Sequence, residues 1–236
     1  GLLKNMKKII NPSIKQWPPL TQRPAKSSFA LNKTVKKVFA DVQKSGDSAI
    51  RKYTLMFDKV SIGTLRVNAA VLKNSEKKIS TELKKAIQLA KKNIETFHSA
   101  QKEKVKIIET TKGVKCWRES RAIEKVGIYI PGGSAPLFST ILMLGIPAKL
   151  AGCKEIILCT PPDKNGEINP VILYTAQLIG ISSVFCVGGI QAIAAMVFGT
   201  KTISKVDKIF GPGNQYVTAA KQMAQQCGTA IDMPAG

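Results

Sequence analysis

Histidine is almost absent. The 236 residues contain one, His98. It sits beside an apolar helical stripe with no acid or second ligand near it in sequence, so it reads as a packing or surface residue. A catalytic triad or an ordinary zinc site would have only this imidazole to draw on. The five cysteines, Cys116, Cys153, Cys159, Cys186 and Cys227, form no Cys-x-x-Cys pair. Cys159 and Cys186 fall inside strand-like apolar runs, so buried free thiols in a reducing compartment are expected. No apolar run approaches the ~20 residues of a membrane span, and no charged-then-apolar leader opens the chain. The expectation is a soluble, cytoplasmic protein with no membrane partner. Gly-x-Ser-x-Gly, His-Glu-x-x-His and Walker patterns are all missing.

Acids are scarce too, with 15 against 36 Lys and Arg, a net charge of +21. The imbalance is local. From Val126 onward there are seven basic and five acidic residues, which leaves 29 and 10, a net of +19, in the first 125. A nucleic-acid partner has to be weighed. The lysines, however, come as scattered pairs (Lys36-Lys37, Lys77-Lys78, Lys84-Lys85, Lys91-Lys92) between apolar positions of helical period. No aromatics interleave with them as base stacking requires. They read as solvated helix faces, and nucleic acid is not the expected partner.

Residues 1–30 are rich in proline and polar residues and read as an arm. Asn32 to Lys44 has helical spacing, with Val35, Val38, Phe39 and Val42 on one face. Gly46 suits a helix end and Asp47 the N-cap of the next helix, which carries Ala49, Ile50, Tyr53 and Phe57. A strand-like stretch follows at 64–67. Leu83, Ala86, Ile87, Ala90, Ile94 and Phe97 form one stripe of a long helix. Two short strands at 105–110 and 114–120 join at Lys112-Gly113.

After residue 125 the pattern changes to strand–helix alternation. Strands are expected to start near Val126, Glu155, Ser183 and Val206, with a short fifth near Thr229, and helices over 139–151, 170–179, 191–198 and 215–226. This predicts an α/β fold: a Rossmann-like parallel-sheet domain over 126–230, following an incomplete, mostly helical part of a second α/β domain over 31–125. Residues 231–236 would begin a return to the first domain. Right-handed crossovers place all the strand-to-helix turns on one sheet edge, where open α/β sheets bind ligands.

Three of those turns are glycine-built: Tyr129-Ile-Pro-Gly-Gly-Ser134, Gly188-Gly189-Ile-Gln191 and Gly211-Pro-Gly-Asn214. Glycine admits close backbone approach, and helix N-termini favour anions. Tyr129 at a strand end suits stacking or a hydrogen bond to a ribose or amide. Gln191 and Asn214 either cap their helices or read a ligand edge. All three on one edge point to a shared site for a nucleotide or cofactor.

The strings 126–139, 147–153, 187–195, 206–214 and Ile231-Asp-Met-Pro-Ala-Gly236 closely resemble histidinol dehydrogenase, as do Ser45-Gly-Asp47, Arg51-Lys-Tyr53 and Asn93-Ile-Glu-Thr-Phe-His98. The resemblance runs from about Lys7 to Gly236. It implies a zinc- and NAD-dependent enzyme of histidine biosynthesis, oxidising L-histidinol through L-histidinaldehyde to L-histidine with two NAD⁺. It implies an intertwined homodimer whose active site draws on both subunits. The family's NAD contacts match Tyr129, Gln191 and Asn214.

One departure matters. In the family a Pro-Ser follows Met-Pro-Ala-Gly, the serine touching substrate, and the zinc ligands (a Gln, two His and an Asp) and an acid–base Glu-His pair come later. None of these positions occurs in this chain, so neither catalytic nor metal-binding residues are assigned. The chain reads as the N-terminal portion of a histidinol dehydrogenase, cut by an incomplete reading frame and inactive alone; Met6-Lys-Lys-Ile-Ile resembles a natural start. The alternative is a non-catalytic truncated relative binding NAD or a polyanion.

Overall fold

The structure, a computed structural model, describes residues 8–21, 28–133 and 136–232, the side chains of 28–30 excepted. The described part of the expected arm holds a 3₁₀ turn at Ile14–Gln16 and a short exposed helix, α1 (Trp17–Thr21). Residues 1–7 and 22–27 of that arm, Ser134 and the terminal Met-Pro-Ala-Gly lie outside the described residues. The helices that follow are α2 (Ser28–Ser45), α3 (Asp47–Asp58), α4 (Ala69–Asn74) and α5 (Thr81–Ser99). A two-stranded antiparallel hairpin comes next, β1 (Ile108–Thr111) and β2 (Val114–Cys116).

Beyond residue 124 the alternation is regular: β3 (Lys125–Tyr129), α6 (Phe138–Ala151), β4 (Glu155–Thr160), α7 (Pro170–Leu178), β5 (Ser183–Cys186), α8 (Gly189–Phe198), β6 (Lys208–Phe210), α9 (Gln215–Gln226) and β7 (Ala230–Ile231). The five strands form one parallel sheet in the order β5-β4-β3-β6-β7. Ile156 to Thr160 are buried without a break, as a parallel strand covered on both faces requires. α6 packs with α7 and α8 with α9, the two pairs that right-handed crossovers would place on opposite faces of the sheet. The strand order reverses between β3 and β6.

The segment 64–67 lies antiparallel along β5, with the Val67 amide donating to the Val184 carbonyl at 2.9 Å and the Cys186 amide to the Leu65 carbonyl at 2.8 Å. It covers an edge that would otherwise present unpaired backbone groups.

The basic helices add an outer layer. α2 packs on α8 and α9, α3 on α8, α4 on α7 and α5 on α6. Val35, Val38, Phe39 and Val42 are all buried, as their spacing implied, and Phe39 meets Phe198 edge-on at 5.7 Å. The apolar core is continuous across residue 126. Because α8 is enclosed by the sheet on one side and α2 on the other, Ile190 to Val197 are buried all round. Lys36, Lys37, Lys77, Lys78, Lys85 and Lys92 are exposed, and Lys84 and Lys91 pair with Glu76 and Glu95. Cys159 and Cys186 are buried free thiols, and burial pushes both up to about 12.

Two expectations change. The α5 stripe is buried at Ile87 and packs through Leu83, Ala90 and Ile94, but Ala86 is exposed and Phe97 is 64% exposed. Helix α5 has 19 residues and its neighbour α6 has 14. At about 1.5 Å rise per residue the shorter helix leaves the end of the longer one uncovered. Val105, Ile107, Ile108, Val114 and Trp117 are exposed as well.

The second change is at the α2–α3 junction. Gly46 has the anticipated left-handed backbone (φ 52), but it is itself the N-cap of α3, and Asp47 is already helical. The Asp47 carboxylate accepts the Thr202 hydroxyl, across 155 residues of sequence, instead of capping its own helix. Burial raises its pKa, but hydrogen bonds from Thr200 and Thr202 outweigh that and hold it below the usual carboxylate value. The stability it contributes is present above the unfolded carboxylate pKa and is lost as pH falls through the lower folded value. Asp47→Ala is expected to cost about 1–2 kcal/mol at pH 7. Urea melts repeated toward pH 3 check this: the gap between native and variant should narrow.

Candidate functional site

The carboxyl ends of β3 to β6 converge on one edge, and the turns there pack tightly on each other. A Cβ on Gly132 would lie 2.7 Å from Pro161, and one on Gly188 would lie 2.4 Å from it. The ring of Pro161, just past β4, is therefore wedged between the turns after β3 and β5. These glycines make room for a neighbouring loop. A crevice of about 200 Å³ remains beside them, lined by Pro131, Thr160, Asp163 and Asn169 among others.

Gly211, just past β6, is tighter still. Its φ is +132, and a Cβ there would stand 2.1 Å from the main-chain oxygen of Tyr129. The Gly211 amide donates to Asp232 Oδ2 at 2.9 Å, and its carbonyl accepts from Lys221 Nζ at 2.8 Å. Lys221 is buried and forms an ion pair with Asp232. A buried cation on α9 and an acid just past β7 thus hold both polar groups of one glycine at the point where the strand order reverses.

Tyr129, the last residue of β3, is buried, and its hydroxyl accepts from the Gly189 amide at 3.1 Å. Burial pushes its pKa up to about 12, against the Gly189 hydrogen bond and helped by the nearby Asp58 carboxylate. The hydroxyl therefore keeps its proton, and that proton has no acceptor among the described residues. Gln191 is fully buried and is the one polar side chain in the enclosed stretch of α8. Its Nε2 donates to Asp58 Oδ2 at 3.4 Å, whereas Oε1 has no partner among the described residues. A Cβ on Gly189 would meet that Oε1 at 3.0 Å, so Gly189 links the amide to the Tyr129 hydroxyl.

Asn214 stands apart from this pair, exposed at the start of α9. Its Oδ1 caps the helix, accepting from Tyr216 N at 3.0 Å and Val217 N at 3.2 Å. Nδ2 makes no hydrogen bond among the described residues. Tyr129 and Gln191 are thus brought together, and Asn214 shares their edge through the Gly211 turn. Sequence reasoning missed Asp58, Lys221 and Asp232. No local signal sets Asp58 apart from the other nine acids among the first 125 residues.

His98 is half-buried, with Nδ1 2.6 Å from Gln101 Oε1 and its ring edge-on to Phe97. Among the described residues no group of three or more His, Cys, Asp or Glu could hold a metal ion.

A family profile described as Histidinol dehydrogenase matches residues 21–236. The chain belongs to the histidinol dehydrogenase family. The histidinol dehydrogenase of Bacteroides thetaiotaomicron is 57% identical over 231 residues, covering 98% of this chain and 54% of the relative. That of Escherichia coli K12 is 51% identical over 220 residues, 92% of this chain and 50% of the relative. The crystal structure of histidinol dehydrogenase from Elizabethkingia anophelis superposes with a TM-score of 0.90 at 60% identity, covering 97% of this chain and 53% of that one. The chain therefore spans about half the length of these histidinol dehydrogenases. It shares the parallel-sheet α/β fold of the Elizabethkingia anophelis structure. No helix among the described residues is long and apolar enough to cross a membrane.

Proposed function

We propose that the chain is the NAD-binding portion of a histidinol dehydrogenase, an enzyme that oxidises L-histidinol through L-histidinaldehyde to L-histidine and works as a homodimer. The observation that carries the cofactor reading is Gln191. Its fully buried Oε1 has no partner among the described residues, and an orphaned acceptor costs about 1–3 kcal/mol unless something donates to it. It lies at the sheet edge where doubly wound folds take dinucleotides. The protonated Tyr129 hydroxyl supplies a donor close by, and Asn214 Nδ2 adds another at the next turn. These three residues would hold the cofactor. When bound, NAD⁺ supplies the hydride acceptor.

The chain's own groups orient and dehydrate that cofactor. The enclosed α8 and the packed glycine turns keep water from the inner side of the edge. Tyr129 donates and Gln191 accepts, and neither changes protonation state at neutral pH. Zinc does not fit these residues: there is one histidine in the chain and no cluster of ligands among the described residues. The polypeptide by itself is expected to leave histidinol unoxidised, because the carboxylate in the described site, Asp58, is engaged by Gln191 Nε2 and the chain's one histidine lies on α5, away from it. NADH formation above background by purified protein with histidinol, NAD⁺ and zinc would refute this.

Calorimetric titration with NADH tests the cofactor reading. The native chain should bind. Tyr129→Phe and Gln191→Leu should each weaken binding by roughly 5- to 30-fold, about 1–2 kcal/mol. A native chain that does not bind NADH overturns it.

A further inference from the structure

Asp58 is an acid where an acid is costly. It is the last residue of α3, at the end of a helix that favours cations. It is half-buried, and no Lys or Arg pairs with it among the described residues. Burial raises its pKa, against the Gln191 hydrogen bond. Among the described residues its one hydrogen-bond partner is Gln191 Nε2, 133 residues away in sequence.

We propose that Asp58 is a positioning residue of the cofactor site: it holds Gln191 by Nε2 so that Oε1 is presented as an acceptor, and the ligand group that meets it is a neutral donor, an amide or amine N–H or a sugar hydroxyl. This rests on the cofactor reading above. A primary amide has one donor end and one acceptor end. A carboxylate can only accept, so it takes the donor end and turns the oxygen the other way. A phosphate oxygen at Oε1 would set acceptor against acceptor, with the Asp58 charge behind it. The Tyr129 hydroxyl beside Gly189 offers a free proton, so the two side chains together present one donor and one acceptor. That pattern suits a carboxamide, a base edge or a sugar. Since Asp58 belongs to the outer helical layer, the geometry of a site on the sheet domain is set from outside that domain.

The test uses the ¹⁵N-labelled chain, with the Gln191 side-chain NH₂ resonance identified by its loss in Gln191→Leu. In the native chain and in Asp58→Asn, which keeps an acceptor, that NH₂ group should exchange slowly with water. In Asp58→Ala exchange should be at least roughly tenfold faster; Asp58→Ser replaces it if the alanine variant does not fold. NADH should bind Asp58→Ala roughly 5- to 20-fold more weakly than the native chain, and Asp58→Asn within about threefold. NADH should shift the Gln191 resonance and inorganic pyrophosphate should not. Equal exchange in the native and alanine proteins overturns the positioning role whether or not NADH binds. A shift produced by pyrophosphate overturns the neutral-donor assignment. If the native chain ignores NADH while exchange still depends on Asp58, the cofactor reading fails and the positioning of Gln191 by Asp58 stands.

Discussion

Gly211→Ala should lower the melting temperature by roughly 6–12 °C and abolish NADH binding. A methyl group at 211 would lie 2.1 Å from the Tyr129 main-chain oxygen, on a backbone with φ +132. The obstacle is backbone inside the sheet and not the end of a flexible side chain, so no rotamer change relieves it. Left-handed strain and overpacking each cost about 1–3 kcal/mol, and together about 3 kcal/mol or more. A domain of this size loses about 2–4 °C per kcal/mol. Pushing Tyr129 also displaces its hydroxyl from the Gly189 amide, so binding suffers beyond the loss of stability. Thermal melts and NADH titration check both effects. A variant that melts like the native protein would mean that the turn after β6 is looser than described.

Lys221→Met should be nearly as damaging, for an electrostatic reason. It strips a buried ion pair of its cation and leaves Asp232, 28% exposed, and the Gly211 carbonyl without their partner. Breaking such a pair from one side costs about 3–5 kcal/mol, and the partial exposure of the acid places this case at the lower end. Adding Asp232→Asn should recover about 1–2 kcal/mol, because the amide oxygen still accepts from the Gly211 amide and no charge is stranded. Denaturant unfolding of the single and double variants measures this. A double variant less stable than Lys221→Met alone would contradict it.

The contrast between these networks and the rest of the fold shows what sequence carries. The strands and crossover helices of the second half were legible because each is a local pattern: a short apolar run, a turn, then helical spacing. Tyr129, Gln191 and Asn214 were legible as a set because topology alone puts their turns on one edge. The partners of those residues were not. Asp58 meets Gln191 and Lys221 meets the Gly211 carbonyl only after the layers have packed, and nothing around either residue marks it locally. The glycines were seen at the right places, but what packs against them was not. Gly132 and Gly188 make room for Pro161 and Gly211 for a strand carbonyl, which depends on three-dimensional packing that spacing does not encode. The α5 stripe was overread at Phe97 for a similar reason: periodicity shows which face is apolar, not how far a neighbouring helix reaches.

The outer helical layer also has a consequence in time. α2 and α3 are synthesised first, yet the surfaces they cover lie on α8, α9 and the loop at 200–202, with Asp47 and Thr202 separated by 155 residues. At a translation rate of about 5–20 residues per second, the apolar face of α2 emerges about 8–30 s before its binding surface exists. During that interval Val35, Val38, Phe39 and Val42 form an uncovered apolar strip flanked by lysines on a nascent chain. A holdase chaperone is the natural occupant of such a strip, and ribosome-bound chains halted before α8 should be the ones it retains.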